Sequence, residues 1–298
     1  MEPATGPAMS VHRLRSVFHP TDFSDSDEAA FIHAVRIALA FHCSVELMHV
    51  GAAGEEIHWS EFPSVRHLLA RWGMVPEDAA VADVLRTGLH PIKIRRHNSD
   101  PAEEIAAHVE RSKPDLVVLS THQRHGLART LHPSNAERVA RVSRNQTLFV
   151  PRGIHGFIDP GTGHPRLLNI LVPVDDRPSA QAAVNAAAAL IATLGCKGVH
   201  WVGLHVSASG HFPAVRLPSG PGWSGELKTW DGDVVERILE TAAVLDAGLI
   251  VMPTAGHHGF LDAIRGSTTE RVLKECRCPL LAVNMAPPAP ESDSDESE

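Results

Sequence analysis

The residues with the clearest chemical potential lie in one stretch, 249–271, which reads LIVMPTAGHHGFLDAIRGSTTER. Its first four residues are apolar, as in a buried parallel strand, and the loop that follows contains Gly256, Gly259 and Gly266. Ser267 or Thr268 can then cap a helix, with Glu270 as the capping-box partner of Ser267. This order aims backbone N–H groups and a helix dipole at one point, which suits a phosphate. The alternative is a loop that has glycines and a helix cap but binds nothing.

Two aspartates hold equivalent places, each directly after the first predicted strand of its half: Asp22 and Asp175. A carboxylate at the end of a strand can accept hydrogen bonds from a ribose hydroxyl or an adenine amino group. It can also merely cap the loop before the next helix. We interpret Asp175 as a ligand contact and Asp22 as a cap.

Histidine is unusually frequent, with 20 residues, and four lie in predicted loops: His122, His125, His257 and His258. They could contact phosphates or gather a metal, but we favour the interpretation that they are surface positions in a histidine-rich chain. HExxH spacing is absent, and the CxC pair Cys276 and Cys278 has no matching histidine pair nearby in the sequence. We therefore predict no metal site and interpret the four cysteines as reduced core thiols.

Composition excludes several classes of protein. The 298 residues are 43% hydrophobic, which is ample for two domains. The net charge is −8, and five negative charges lie in the last eight residues, so a nucleic-acid partner is not expected. No apolar run is long enough for a membrane helix and no signal peptide is recognisable, so the expected location is cytoplasmic.

The same order of elements occurs twice along the chain. Pro20 and Asp22 match Pro173 and Asp175 at an offset of 153 residues, while Ser134 and Val150 match Ser267 and Val283 at an offset of 133. Strands alternate with helices in both halves, and the sequence predicts a short strand at 214–217 in the second. A tandem duplication follows.

The predicted fold class is α/β, with two tandem doubly wound domains. Each has a mostly parallel five-stranded sheet with helices on both faces. The predicted domains are 12–151 and 166–286, joined by a glycine- and proline-rich linker at 152–165 and followed by a disordered acidic tail at 287–298.

Both halves resemble the universal stress protein domain. The similar segments are VFHPTDFSDSDEAA and NILVPVDDRPSAQAA, the strand endings MHV and LHV, DLVVLSTHQRHGLARTLHPSNAERV and AGLIVMPTAGHHGFLDAIRGSTTERV. Nucleotide-binding members of that family hold ATP phosphates with a loop of the form Gly, two residues, Gly, nine residues, Gly, Ser/Thr. An Asp after the first strand and a Val ending the second hold the nucleoside.

The resemblance implies a nucleotide site in the second half. The loop positions become Pro253, Gly256, Gly266 and Ser267, with Asp175 and Val206 completing the pocket. The full predicted set is Pro173, Val174, Asp175, Val206, Met252, Gly256, Gly266, Ser267 and Thr268. The departure is Pro253, which has no N–H to donate and a fixed φ. The implied ligand is ATP or another adenine nucleotide, with or without Mg²⁺.

The first half departs further from the family's loop. The same positions are Ser120, Gln123, Pro133 and Ser134, so all three glycines are replaced. A Cβ at each position restricts φ and blocks the close approach of phosphate to the backbone. We expect this half to have lost the nucleotide, although Asp22 and Val50 remain.

Three classes of function remain open. The first is a regulatory stress-response protein that binds adenine nucleotide through its second half and acts on an unidentified protein partner. The second is a nucleotide-free structural or adaptor protein of the same fold, which binds a protein or a small ligand. The third is slow nucleotide hydrolysis. Arg265 is the only basic residue within the second loop, which favours binding over turnover, and no catalytic residue is predicted.

The last strand of each half, at 147–150 and 280–283, is short and apolar. An unpaired apolar edge invites association, and duplication supplies a partner within the same chain. The sequence thus predicts an intrachain pseudo-dimer across these strands. Whether whole chains also form a homodimer is left open.

Overall fold

Each half of the chain forms five strands, most of them short, buried apolar runs. The computed structural model describes residues 13–121, 146–208, 211–255 and 268–285. The first-half strands are β1 (Ser16–Pro20), β2 (Ser44–Gly51), β3 (His90–His97), β4 (Leu116–Thr121) and β5 (Gln146–Pro151). The second-half strands are β6 (Asn169–Pro173), β7 (His200–Val206), β8 (Ser224–Trp230), β9 (Leu249–Ala255) and β10 (Leu280–Met285).

The described helices are α1 (Glu28–Phe41), α2 (Val65–Arg71), α3 (Val81–Arg86), α4 (Pro101–Ser112), α5 (Gln181–Thr193), α6 (Val234–Val244) and α7 (Thr268–Glu275). Two of their starts show a side-chain cap on two N–H groups. Asp100 and Asp233 each accept hydrogen bonds from two backbone N–H groups of the helix that follows, α4 and α6. None of the described helices has the length and apolar character needed to cross a membrane.

The ten strands form one sheet in the order β3-β2-β1-β4-β5-β10-β9-β6-β7-β8. Pairing is parallel within each half, and the one change of direction is between β5 and β10. There Leu280 pairs with Phe149 and Leu281 with Leu148. The predicted α/β fold and the intrachain pairing of the last strands are therefore confirmed.

Helices cover both faces because strand side chains alternate between them. Val17 and Leu47 face the cluster that includes α1, α2 and α5, whereas Phe18 and Met48 face the cluster that includes α4, α6 and α7. Helices α1 and α5 come from different halves and contact each other on one face of the joined sheet.

The strand expected at 214–217 is wrong. Within the described range 211–255, the first strand is β8, and it begins at Ser224. β8 is an edge strand with the sequence SGELKTW, and six of its seven residues are exposed. It therefore lacks the apolar period by which a buried strand is recognised. Leu217 instead packs against the sheet, close to Gly203 and Gly225.

The segment between β5 and β6, predicted to be a linker, packs against the first half. Phe157 and Ile158 are each 1% exposed and belong to the core. The Trp72 indole donates to Pro160 O at 3.1 Å, and Arg36 Nε donates to Gly163 O at 2.8 Å. Gly163 has φ +71°, and a Cβ there would lie 2.6 Å from the Trp72 ring. The connection is thus a packed part of the fold.

His33 fastens this segment to α1. Its Nε2 accepts the Phe157 N–H at 3.1 Å, so Nδ1 carries the proton and donates to Ala29 O at 2.7 Å. The neutral ring therefore has a hydrogen-bond partner at each of its two nitrogens. Full burial lowers the pKa of His33 to about 4, although the bond to Ala29 O opposes this shift.

We expect His33 to make the folded chain less stable in mild acid. Because the folded pKa lies below the unfolded value of about 6.5, the unfolded chain binds the extra proton, and stability falls as pH drops from 6.5 towards 4. One such group costs about 1 kcal/mol between pH 7 and pH 5.5. Urea unfolding of wild type and His33→Gln at both pH values measures this difference. Equal losses in the two proteins would contradict the role of His33.

Candidate functional site

A pocket of about 210 Å³ opens at the carboxyl ends of β6, β7 and β9. Pairing between β6 and β9 stops at Leu171 and Ile250, so the two strands diverge beyond these residues. β7 lies on the other side of β6, which makes this the point where the strand order reverses. Ligands of doubly wound folds bind in such a crevice.

Six predicted site residues line this one pocket: Pro173, Val174, Asp175, Val206, Met252 and Thr268. Pro253, the residue that departs from the family's loop, lines it as well. Gly256, Gly266 and Ser267 lie outside the described residues, as do the loop histidines. The structure thus brings together the described part of the predicted site, from strands that are far apart in the sequence.

The pocket lining combines two kinds of chemistry. Leu204, Val206, Val234 and Ile238 contribute apolar side chains. Thr268 and Thr269, which also line the pocket, lie at the start of α7. The first turn of a helix presents free N–H groups, which favour an anion. The pocket can therefore hold a molecule with an apolar ring and an anionic group.

Asp175 and Arg177 supply the charges among the described lining residues, and His205 also lines the pocket. Asp175 is exposed, and its Oδ1 accepts the N–H of Asp176 at 2.8 Å. His205 is buried and donates from Nδ1 to Val174 O at 2.9 Å. This bond fixes the loop after β6 against the end of β7.

Several lining residues were not predicted from the sequence: Arg177, Pro178, Leu204, His205, Val234, Ile238, Thr254 and Thr269. Those on α6 come from a helix whose position over the crevice depends on tertiary packing. The ending LHV pointed to Val206, and its neighbours Leu204 and His205 could have been added from the same signal.

In the first half, the carboxylate equivalent to Asp175 is that of Asp22, and an arginine of the same chain binds it. Arg152, just after β5, donates from Nη2 to Asp22 Oδ2 and from Nη1 to Ser26 Oγ at 2.9 Å. The Arg152 side chain is only 17% exposed. Partial burial opposes ionisation of Asp22, but hydrogen bonds from Ser24 and Arg152 outweigh it and lower the pKa of the carboxyl. At the matching place in β10 the second half has Met285.

Two further features separate the halves. The Phe23 ring stacks on His49 with centroids 3.8 Å apart, beside the end of β2, where the second half has Asp176 in place of Phe23. A cavity of about 340 Å³ does exist in this half, but Asp22, Val50 and Ser120 do not line it. This cavity is lined instead by residues within 21–31 and 61–71.

A buried ion pair lies beneath this first-half cleft. His19 Nε2 is 3.3 Å from Asp27 Oδ2, and His19 Nδ1 donates to Val118 O at 3.0 Å. Burial opposes charge on both groups, but their mutual attraction raises the pKa of His19 and lowers that of Asp27 to about 2. The second half has Val172 and Ala180 at these positions, so the pair belongs to the first half alone.

Among the described residues, no group of three or more histidine, cysteine, aspartate or glutamate side chains is arranged to hold a metal ion. Cys276 is buried, which raises the pKa of its thiol to about 12, and Cys278 is only partly accessible.

A model of the universal stress protein family matches residues 14–151 and 216–284. The chain belongs to this family. No curated protein matches it. A solved universal stress protein from Archaeoglobus fulgidus is 16% identical, with a TM-score of 0.54, and covers 91% of this chain and 98% of its own. A protein of unknown function from Pseudomonas aeruginosa is 14% identical, with a TM-score of 0.59, and covers 91% and 92%. These structures share the tandem fold.

We expect Arg152 and Asp22 to be energetically coupled. A cycle of Arg152→Met, Asp22→Asn and the double variant should give an interaction energy of about 0.5–3 kcal/mol in urea unfolding, because the guanidinium is largely shielded. The exposed pair of Arg15 and Asp115 is the control, with an expected coupling below about 1 kcal/mol. Additive effects of Arg152→Met and Asp22→Asn would show that the guanidinium does not hold this carboxylate.

Proposed function

We propose that this universal stress protein binds an adenine nucleotide in its second half and acts as a regulatory protein in a stress response. The observation that supports the proposal is the convergence of Pro173, Val174, Asp175, Val206, Met252 and Thr268 on one pocket. The family resemblance implies these same residues as a nucleotide site. The pocket lining also offers apolar side chains for a base and a helix start for phosphate.

The same pocket favours binding over turnover. Asp175 is the single carboxylate among its described lining residues, which is too few for a dedicated metal cage. Mg²⁺ would therefore enter with the nucleotide's phosphates, with Asp175 as its available protein ligand.

A nucleotide-free adaptor protein is the second candidate. The observation in its favour is the first half, where Arg152 satisfies Asp22 without any ligand. Pro253 adds to it, because a phosphate approaching β9 meets no N–H there. Equilibrium binding of ATP and AMP to the purified chain separates the two functions, since an adaptor of this kind gives no saturable binding.

The first prediction of this proposal concerns the glycine loop. Gly256→Gln places in the second half the residue that the first half has, and its side chain obstructs the approach of phosphate to the backbone. It should abolish ATP binding measured by calorimetry. Gln123→Gly is the matched control and should leave the affinity unchanged. Undiminished binding by Gly256→Gln would rule out the proposed site.

The second prediction concerns Pro253. Pro253→Gly restores one N–H donor, which contributes about 1.5–3 kcal/mol if it meets a charged phosphate. ATP should then bind roughly 10- to 150-fold more tightly. Adenosine, which lacks phosphate, should gain little and serves as the control ligand. Equal or weaker ATP binding would mean that the phosphates do not lie beside residue 253.

A further inference from the structure

An exposed tryptophan lies next to an apolar residue of the pocket lining. Trp230 is the last residue of β8 and is 50% exposed. It pairs with Val206 in the parallel ladder between β7 and β8. Neighbouring strands are about 4.8 Å apart, so the Trp230 backbone lies one strand away from a residue that lines the pocket.

The indole lies on the pocket's side of the sheet. Paired residues of neighbouring strands point to the same face, and Val206 packs in the cluster that contains Leu204 and Ile238. The Arg237 guanidinium of α6 lies 6.0 Å from the Trp230 ring, on this same face. Val234, the first residue of α6, lines the pocket and is 40% exposed. Trp230 therefore extends the apolar wall formed by Val206 and Val234.

The first half offers no such wall. The residue paired with Val50 there is Arg96, where the second half has Trp230. Burial in the core does not account for the indole, since half of it faces solvent at the edge of the sheet. An exposed aromatic next to a pocket is suited to stacking with a planar ring.

We propose that Trp230 is a specificity-determining residue whose indole stacks on the base of the bound nucleotide. This inference rests on the proposed function. The bound phosphate would lie at the start of α7, where Thr268 and Thr269 line the pocket, and the base would lie against Val206, another lining residue. There Trp230 covers the part of the base that projects beyond the pocket.

Four substitutions test the stacking. Trp230→Ala should weaken ATP binding by about 5- to 150-fold, as stacking of one base contributes about 1–3 kcal/mol. Trp230→Phe should stay within about threefold of wild type, whereas Trp230→Leu should behave like the alanine variant because it is apolar but not aromatic. Trp59→Ala is the matched control, since Trp59 is 48% exposed and also lies under an arginine, Arg95, in the first half.

Tryptophan fluorescence gives a second readout. ATP should change the emission of wild type and Trp59→Ala, and this change should be lost in Trp230→Phe. Unfolding temperatures of all variants check that each is folded.

The outcomes distinguish this inference from the proposed function. Wild-type ATP affinity in Trp230→Ala, or equal affinity in the leucine and phenylalanine variants, overturns stacking while nucleotide binding stands. Absence of ATP binding by the wild-type chain overturns both.

Discussion

The antiparallel pairing of β5 with β10 is the interaction on which the rest of the structure depends. Phe149, Leu148, Leu280 and Leu281 are fully buried there, and together they close two apolar edges that would otherwise promote association between chains. Covalent linkage of the halves supplies each edge with its partner at a high effective concentration. The connecting segment adds to this, because Phe157 and Ile158 pack into the core formed with α1.

This pairing also determines where the clefts can lie. All pairings described within each half are parallel. Because the direction reverses between β5 and β10, the strands of the two halves have their carboxyl ends at opposite ends of the joined sheet, viewed along the strands. The clefts therefore cannot combine into one site. Arg152 comes directly after β5, so its ion pair with Asp22 both fills the first-half position and fastens the beginning of the connecting segment. The carboxylate equivalent to the proposed ligand contact Asp175 is here part of a structural ion pair.

Much of the fold could be predicted from the sequence because buried parallel strands are short apolar runs and helices have caps that can be read locally. Asp100 and Asp233 are examples of such caps. β8 could not be predicted from the sequence, because an exposed edge strand has no apolar period. Leu217, just before it, has the apolar character expected of a strand but packs as part of a loop.

The site could be predicted only in part, for a different reason. Asp175 and Val206 follow from their places at the ends of strands, which the topology brings together. Ile238 and Trp230 enter through the packing of α6 and the register of β8, neither of which is visible in a linear motif. The pairing of Arg152 with Asp22 joins residues 130 positions apart, so no local sequence pattern indicates it.

The pocket is also connected to the seam between the halves. Met252, Pro253 and Thr254 line the pocket from β9. Residues 250–255 of β9 pair with β10, the strand that forms the seam. Thr254 donates from Oγ1 to Val283 O of β10 at 3.3 Å. A ligand that binds only the folded state stabilises it by an amount set by its concentration relative to Kd, about 2.7 kcal/mol at a hundredfold excess. Because β9 is shared between pocket and seam, a ligand bound in the proposed second-half site would stabilise the joined sheet and, with it, the first half.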